Sequence, residues 1–120
     1  MILLARRKPG SHLAGYWEFP GGKIENGESP EQSLERELYE EFSIQTKTGN
    51  FLCESIFNYG SKKIRLIGYY SKYLGGKFIL ESHDKIHWVQ LEDIEHYNLA
   101  PADLPLFETL KANGKGYSFR

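Results

Sequence analysis

Apolar positions divide the chain into short runs, alternations and helical stripes. Residues Ile2 to Ala5 form an apolar run of the buried-strand type, and the loop RRKPGSHLAG then interrupts it with Pro9, Gly10 and Gly15. YWEF suits a second, brief strand, after which Pro20, Gly21 and Gly22 force a turn whose exposed backbone permits close approach. Ser29 signals a helix start: it serves as N-cap, Pro30 fits the first helical position, and Gln32 completes a Ser-x-x-Gln capping box. The helix is predicted to run to about Phe42, with Leu34, Leu38 and Phe42 on one stripe and Glu37, Glu40 and Glu41 on the adjoining one.

Beyond that helix, GNFLCESIFNYGSKKIRLIGYYSKYLGG reads as two long strands joined by a hairpin near Tyr59 to Lys62, with a second turn at Gly75-Gly76. KIHWVQL is a further strand and LEDIEHY a short helical turn. PADLPLFETLKA is a terminal helix, with Leu106, Phe107 and Leu110 at helical spacing. Strands and helices are interleaved, so the class is α/β or α+β. The tail ANGKGYSFR, with two glycines near the chain end, is expected to fray.

Composition narrows the class of function. A chain of 120 residues without repeats or linker-like segments is read as one domain, residues 1–120. A net charge of −1 with interspersed signs provides no basic field for a nucleic-acid polymer. The apolar run in MILLARRKPG is too short to span a membrane, and its charges follow that run instead of preceding it as in a signal peptide. The single Cys53 excludes an internal disulfide. These features lead to the expectation of a cytoplasmic protein, monomer or homodimer, with no nucleic-acid polymer and no membrane as partner.

The acids of EFPGGKIENGESPEQSLERELYEEFSI raise the main chemical question. A solvated helix face with an Arg36–Glu40 pair would explain part of the pattern, contributing roughly 0.2–0.5 kcal/mol. Glu37 and Glu41, however, lie one turn apart with Glu40 beside them, next to a stripe that must be packed, so repulsion is concentrated near low dielectric. A cation is required to offset it. Mg²⁺ or Mn²⁺ suits such oxygen donors and binds phosphates through its remaining positions. The Gly21-Gly22 turn could bring a carbonyl to the same ions, and Glu28 could either approach the cluster or hold Arg36.

The order Gly22, Glu28, Arg36-Glu37-Leu38, Glu40-Glu41 and Ile44 matches the Nudix box, Gly-x5-Glu-x7-Arg-Glu-U-x-Glu-Glu-x-Gly-U with U aliphatic. The chain resembles the MutT-like branch of that family, nucleoside triphosphate pyrophosphohydrolases that include oxidised-dGTP and CTP-type enzymes. The flanks LLARRKPGSHLAGYWEFPGGKIENGE and HDKIHWVQLEDIEHYNLAPADLPLFETL carry the resemblance over nearly the whole chain. It implies an α/β/α sandwich with a mixed β-sheet, here without the first strand that such proteins usually have before Ile2 to Ala5. One box position departs: Ser43 stands where the second glycine is usual, at a helix end that favours a left-handed residue, at a cost of about 1 kcal/mol.

The resemblance further implies a metal-dependent cleavage of a small nucleotide to the monophosphate and pyrophosphate, possible substrates including 8-oxo-dGTP. Glu37, Glu40, Glu41 and the Gly21 carbonyl would hold the ions, and Arg36 would orient the glutamates. The general base stays open among Glu37, Glu40 and a loop acid before the last strand, Glu81, with His83 and Asp84 as alternatives. Arg7 and His12 would lie near phosphate or sugar, Glu18, Phe19, Pro20 and Gly21 along the nucleotide, and Asp103 at the base. Phe19 could instead be core, and Asp103 could cap the last helix. Asp103 stands where oxidised-guanine enzymes of the bacterial type tend to carry Asn. Ionised, it only accepts hydrogen bonds, so a pyrimidine competes with oxidised guanine. A noncatalytic nucleotide sensor, or a hydrolase of ADP-ribose or dinucleoside polyphosphates, is the alternative reading.

Overall fold

A computed structural model describes residues 1–114, so the expectation for the tail falls largely on 115–120, outside the described residues. The first apolar run becomes strand β1, Ile2–Arg7, which sits between β2, Trp17–Glu18, and β5, His83–Val89, pairing antiparallel with both. Successive side chains of a strand point to opposite faces. Leu4 therefore enters one core, with Val89, Ile94, Leu99, Phe107 and Leu110, while Ala5 enters another with Leu38, Phe42 and Ile44.

These two cores make the sandwich. Helix α1, Pro30–Phe42, covers the Ala5 face, and helix α2, Leu104–Gly114, supplies Phe107 and Leu110 to the Leu4 face. The capping box forms as predicted, the Ser29 side chain accepting from the Gln32 N–H and Gln32 Oε1 accepting from the Ser29 N–H. Strands β3, Gln45–Tyr59, and β4, Lys62–Gly75, form the long hairpin, closed where the sequence placed its turn. A 3-10 turn at Leu91–His96 precedes a return past β2, where Trp17 bonds main chain to Asn98 and Ala100 and makes a parallel bridge with Leu99. That bridge contributes the parallel element to otherwise antiparallel pairing among the described residues.

Two irregularities shape the region around α1. Ser43 ends the helix in the left-handed conformation, φ 58° and ψ 30°, as the missing glycine predicts, and Gly76 packs against it. A Cβ at Gly76 would stand 2.6 Å from the Ser43 carbonyl oxygen, and its φ of 107° is itself one that glycine favours. The second irregularity is in β5: Arg6 pairs with Lys85 but Arg7 pairs with His83, leaving Asp84 as an extra residue. Such bulges bend a strand and re-aim its side chains.

Candidate active site

The acids of α1 are organised around one guanidinium. Arg36 Nε donates to Glu28 Oε2 at 2.6 Å and its Nη2 to Glu28 Oε1 at 3.1 Å, a two-pronged pair. Its Nη1 lies 3.0 Å from Glu37 Oε1, 3.0 Å from Glu40 Oε1 and 3.7 Å from Glu25 Oε1. Nη2 also donates to the Lys23 carbonyl, tying the helix to the loop before it. Of the two roles open to Glu28, the structure therefore has it holding Arg36. The Arg36 hydrogen bond, helped by the Glu25 N–H, keeps the Glu28 carboxyl below the usual carboxylate range, and Glu28 in turn pushes the guanidinium further up.

Close approach at the glycine turn also has a specific cause. A Cβ at Gly22 would overlap the Glu37 carboxylate, so only glycine lets that side chain lie against the turn. Gly21 is exposed in the same turn and has no such constraint, a Cβ there meeting only Leu34 at 3.8 Å. Glu37 keeps 15% of its side-chain exposure and Glu40 57%. Glu41 differs from both: its Oε2 is buried and has no hydrogen-bond partner.

The expected metal ligands do not converge as three on one point among the described residues. Arg36 accounts for this, because it already supplies the cation that Glu37 and Glu40 face. The donor set nonetheless fits a hard divalent ion. Every candidate ligand is an oxygen, and a buried carboxylate oxygen without a hydrogen-bond partner, as in Glu41, is costly unless something occupies it.

On the β2 side a second group forms. The bulge at Asp84 turns His83 toward α1, where its ring stacks on Phe42 with centroids 5.1 Å apart. His83 Nε2 lies 2.7 Å from Glu18 Oε2, and Arg7 Nη1 lies 3.2 Å from the same oxygen. Arg7 Nε donates to the His12 carbonyl, while the His12 side chain is exposed. Asp84 is diverted to a two-pronged pair with Arg6, both bonds 2.8 Å. Glu81 lies exposed between β4 and β5 and is not one of the four acids that Arg36 gathers, Glu25, Glu28, Glu37 and Glu40.

Asp103 lies deeper. It ends a 3-10 turn, Pro101–Asp103, and is 8% exposed, with its Oδ2 accepting the Phe19 N–H at 2.9 Å. The carboxyl thus ties the end of β2 to the start of α2. Burial is the main cause that pushes it up to about 7; the Phe19 N–H works the other way and the Glu18 charge adds to the rise. A value near neutrality leaves both the ionised, accepting form and the protonated, donating form within reach of this carboxyl. Phe19 is partly buried against the Leu4 core, and Pro20 beside it is half-buried. The hydrogen-bonding role of His83 went unseen in the sequence, where it figured only as an alternative base. No local spacing marks a partner 65 residues away.

A family model of the NUDIX domain matches residues 1–110. The chain belongs to the Nudix family. Among curated Nudix relatives it is 38% identical over 111 residues to CTP pyrophosphohydrolase of Escherichia coli (strain K12), covering 92% of this chain and 82% of that one. It is 34% identical over 110 residues to 8-oxo-dGTP diphosphatase of Haemophilus influenzae (strain ATCC 51907 / DSM 11121 / KW20 / Rd), covering 91% and 80%. The solution structure of the E. coli ORF135 protein superposes with a TM-score of 0.83 at 34% identity, over 98% of this chain and 84% of that one. The protein is accordingly a Nudix hydrolase, a pyrophosphohydrolase of a family that acts on small nucleotides and generally uses divalent metal ions. No described helix is long and apolar enough to cross a membrane.

Proposed function

We propose that this Nudix hydrolase cleaves a nucleoside or deoxynucleoside triphosphate to the monophosphate and pyrophosphate, with Mg²⁺ or Mn²⁺ held by Glu37, Glu40, Glu41 and the Gly21 carbonyl. The observation that carries the reading is the bare, buried Oε2 of Glu41 on the same helix as Glu37 and Glu40, whose present counter-ion is Arg36. Bound there, a divalent ion supplies charge neutralisation and Lewis-acid activation for attack by water. The chain's own residues supply the frame. Arg36, anchored by Glu28 and the Lys23 carbonyl, orients Glu37 and Glu40. Glu37, Glu40 or the exposed loop acid Glu81 takes the proton from the attacking water.

The nucleotide lies along Glu18, Phe19, Pro20 and Gly21, with Arg7 and His12 toward the phosphate or sugar and Asp103 at the base. Asp103, pushed up to about 7, accepts from an amino group when ionised and donates when protonated. Cytosine and 8-oxoguanine therefore both have a complementary form of this side chain, and the relatives named for CTP and for 8-oxo-dGTP support both as first candidates. The test is pyrophosphate and phosphate release from canonical, oxidised and methylated triphosphates, with Mg²⁺, with Mn²⁺ and with EDTA. Pyrophosphate release that EDTA abolishes is expected; a folded sample silent across the panel returns the chain to the sensor reading, and hydrolysis of ADP-ribose alone would replace the substrate class.

A further inference from the structure

We propose that His83 is a positioning residue that fixes the Glu18 carboxylate, and through it Arg7, along the nucleotide side of the site; the inference rests on the reading of that site given above. His83 is only 7% exposed, and its Nε2 lies 2.7 Å from Glu18 Oε2, the oxygen that Arg7 Nη1 also approaches at 3.2 Å. A carboxylate has no proton to give, so the imidazole donates from Nε2. Its Nδ1 is buried with no hydrogen-bond partner. An apolar ring would stack on Phe42 without burying that bare nitrogen, so packing alone does not account for an imidazole here.

The bulge adds an independent argument. Without the extra residue, the register running through Arg6 and Lys85 would set Asp84 opposite Arg7, a second carboxylate on the arginine that Glu18 holds. With it, Asp84 is drawn off to Arg6 and a hydrogen-bond donor takes its place. The ring is held between Phe42, the last residue of α1, and Glu18 of β2. His83 thus links the helix that carries the acids to the strand that runs along the nucleotide, and leaves Glu18 one arrangement instead of several.

Two amide variants of different reach test this. The H83Q amide nitrogen extends about as far as Nε2, whereas that of H83N stops near Nδ1. Both are compared with wild type for kcat and KM on the best triphosphate, and for Kd of a non-hydrolysable triphosphate analogue. H83N is expected to raise KM and Kd about tenfold, the scale of a lost hydrogen bond to a charged group, while kcat stays within about threefold. H83Q is expected to restore both constants, and H83N in an E18Q background to add nothing further. The proposal is overturned if Gln and Asn behave alike, if kcat falls instead, or if the H83N and E18Q effects add. A wild-type chain that binds the analogue without turnover sinks the hydrolase reading alone and leaves the Kd comparison decisive for His83. One that neither binds nor hydrolyses overturns both.

Discussion

Glu28, beside α1, and Asp103, before α2, are two carboxyls of the proposed site whose surroundings drive them in opposite directions. Glu28 meets Arg36 at 2.6 Å in a half-buried pair and is held in its charged form. Asp103 is enclosed, has the Phe19 N–H as its hydrogen-bond donor and feels the charge of Glu18, so its neutral form is favoured. The α1 side is thus a place where charge is kept and balanced, suited to phosphates and their counter-ions. Around Asp103, by contrast, charge is costly and hydrogen-bond direction decides, which supports the proposal of a nucleobase there.

Breaking the charged side should have the largest effect. Glu41→Gln keeps the shape and removes the charge, and is expected to leave the fold intact while cutting turnover by about 10²–10³ or more. Near-normal Mg²⁺-supported turnover in a steady-state assay would remove Glu41 from the metal set.

Removing the buried acid should come next, and its sign follows from linkage. The folded-state value of Asp103 is raised, so the folded protein binds more protons than the unfolded chain between about 4 and 7, and stability from this group falls as pH rises through that window. Asp103→Asn keeps an acceptor for Phe19 and should abolish that fall, leaving the variant more stable at pH 8 by up to about 4 kcal/mol, with little difference at pH 4. Urea midpoints of the two proteins at both pH values check this, and parallel curves would refute it. The same variant should shift the ranking of bases, since a carboxamide no longer changes form near neutrality.

Smaller changes sharpen the comparison at its edges. Gly22→Ala would push the Glu37 carboxylate off the turn, and a loss of activity of about tenfold is expected, accompanied by weaker Mn²⁺ binding in a calorimetric titration. Unaltered metal affinity would mean that Glu37 does not need that contact. Ser43→Gly relieves a left-handed serine and should stabilise the fold by about 1 kcal/mol, seen as a rise of a few degrees in Tm with unchanged activity. A fall in Tm would show that the Ser43 side chain contributes more than its backbone costs.

Spacings of two to four residues carried much of this protein in plain view. Ser29, Pro30 and Gln32 start α1, the acids follow at one helical face, and Gly60 sits in the turn between β3 and β4, because caps, turns and amphipathic stripes depend on near neighbours. Ser43 as the left-handed end of α1 was readable for the same reason. Three features depended on folding. Glu37 lies against Gly22, His83 reaches Glu18 across 65 residues, and Asp103 reaches Phe19 across 84. Strand register decides which residue faces Arg7, and a single extra residue in β5 exchanges Asp84 for His83 there. Burial decides whether a carboxyl keeps its charge, and burial is a property of what the rest of the chain packs around it.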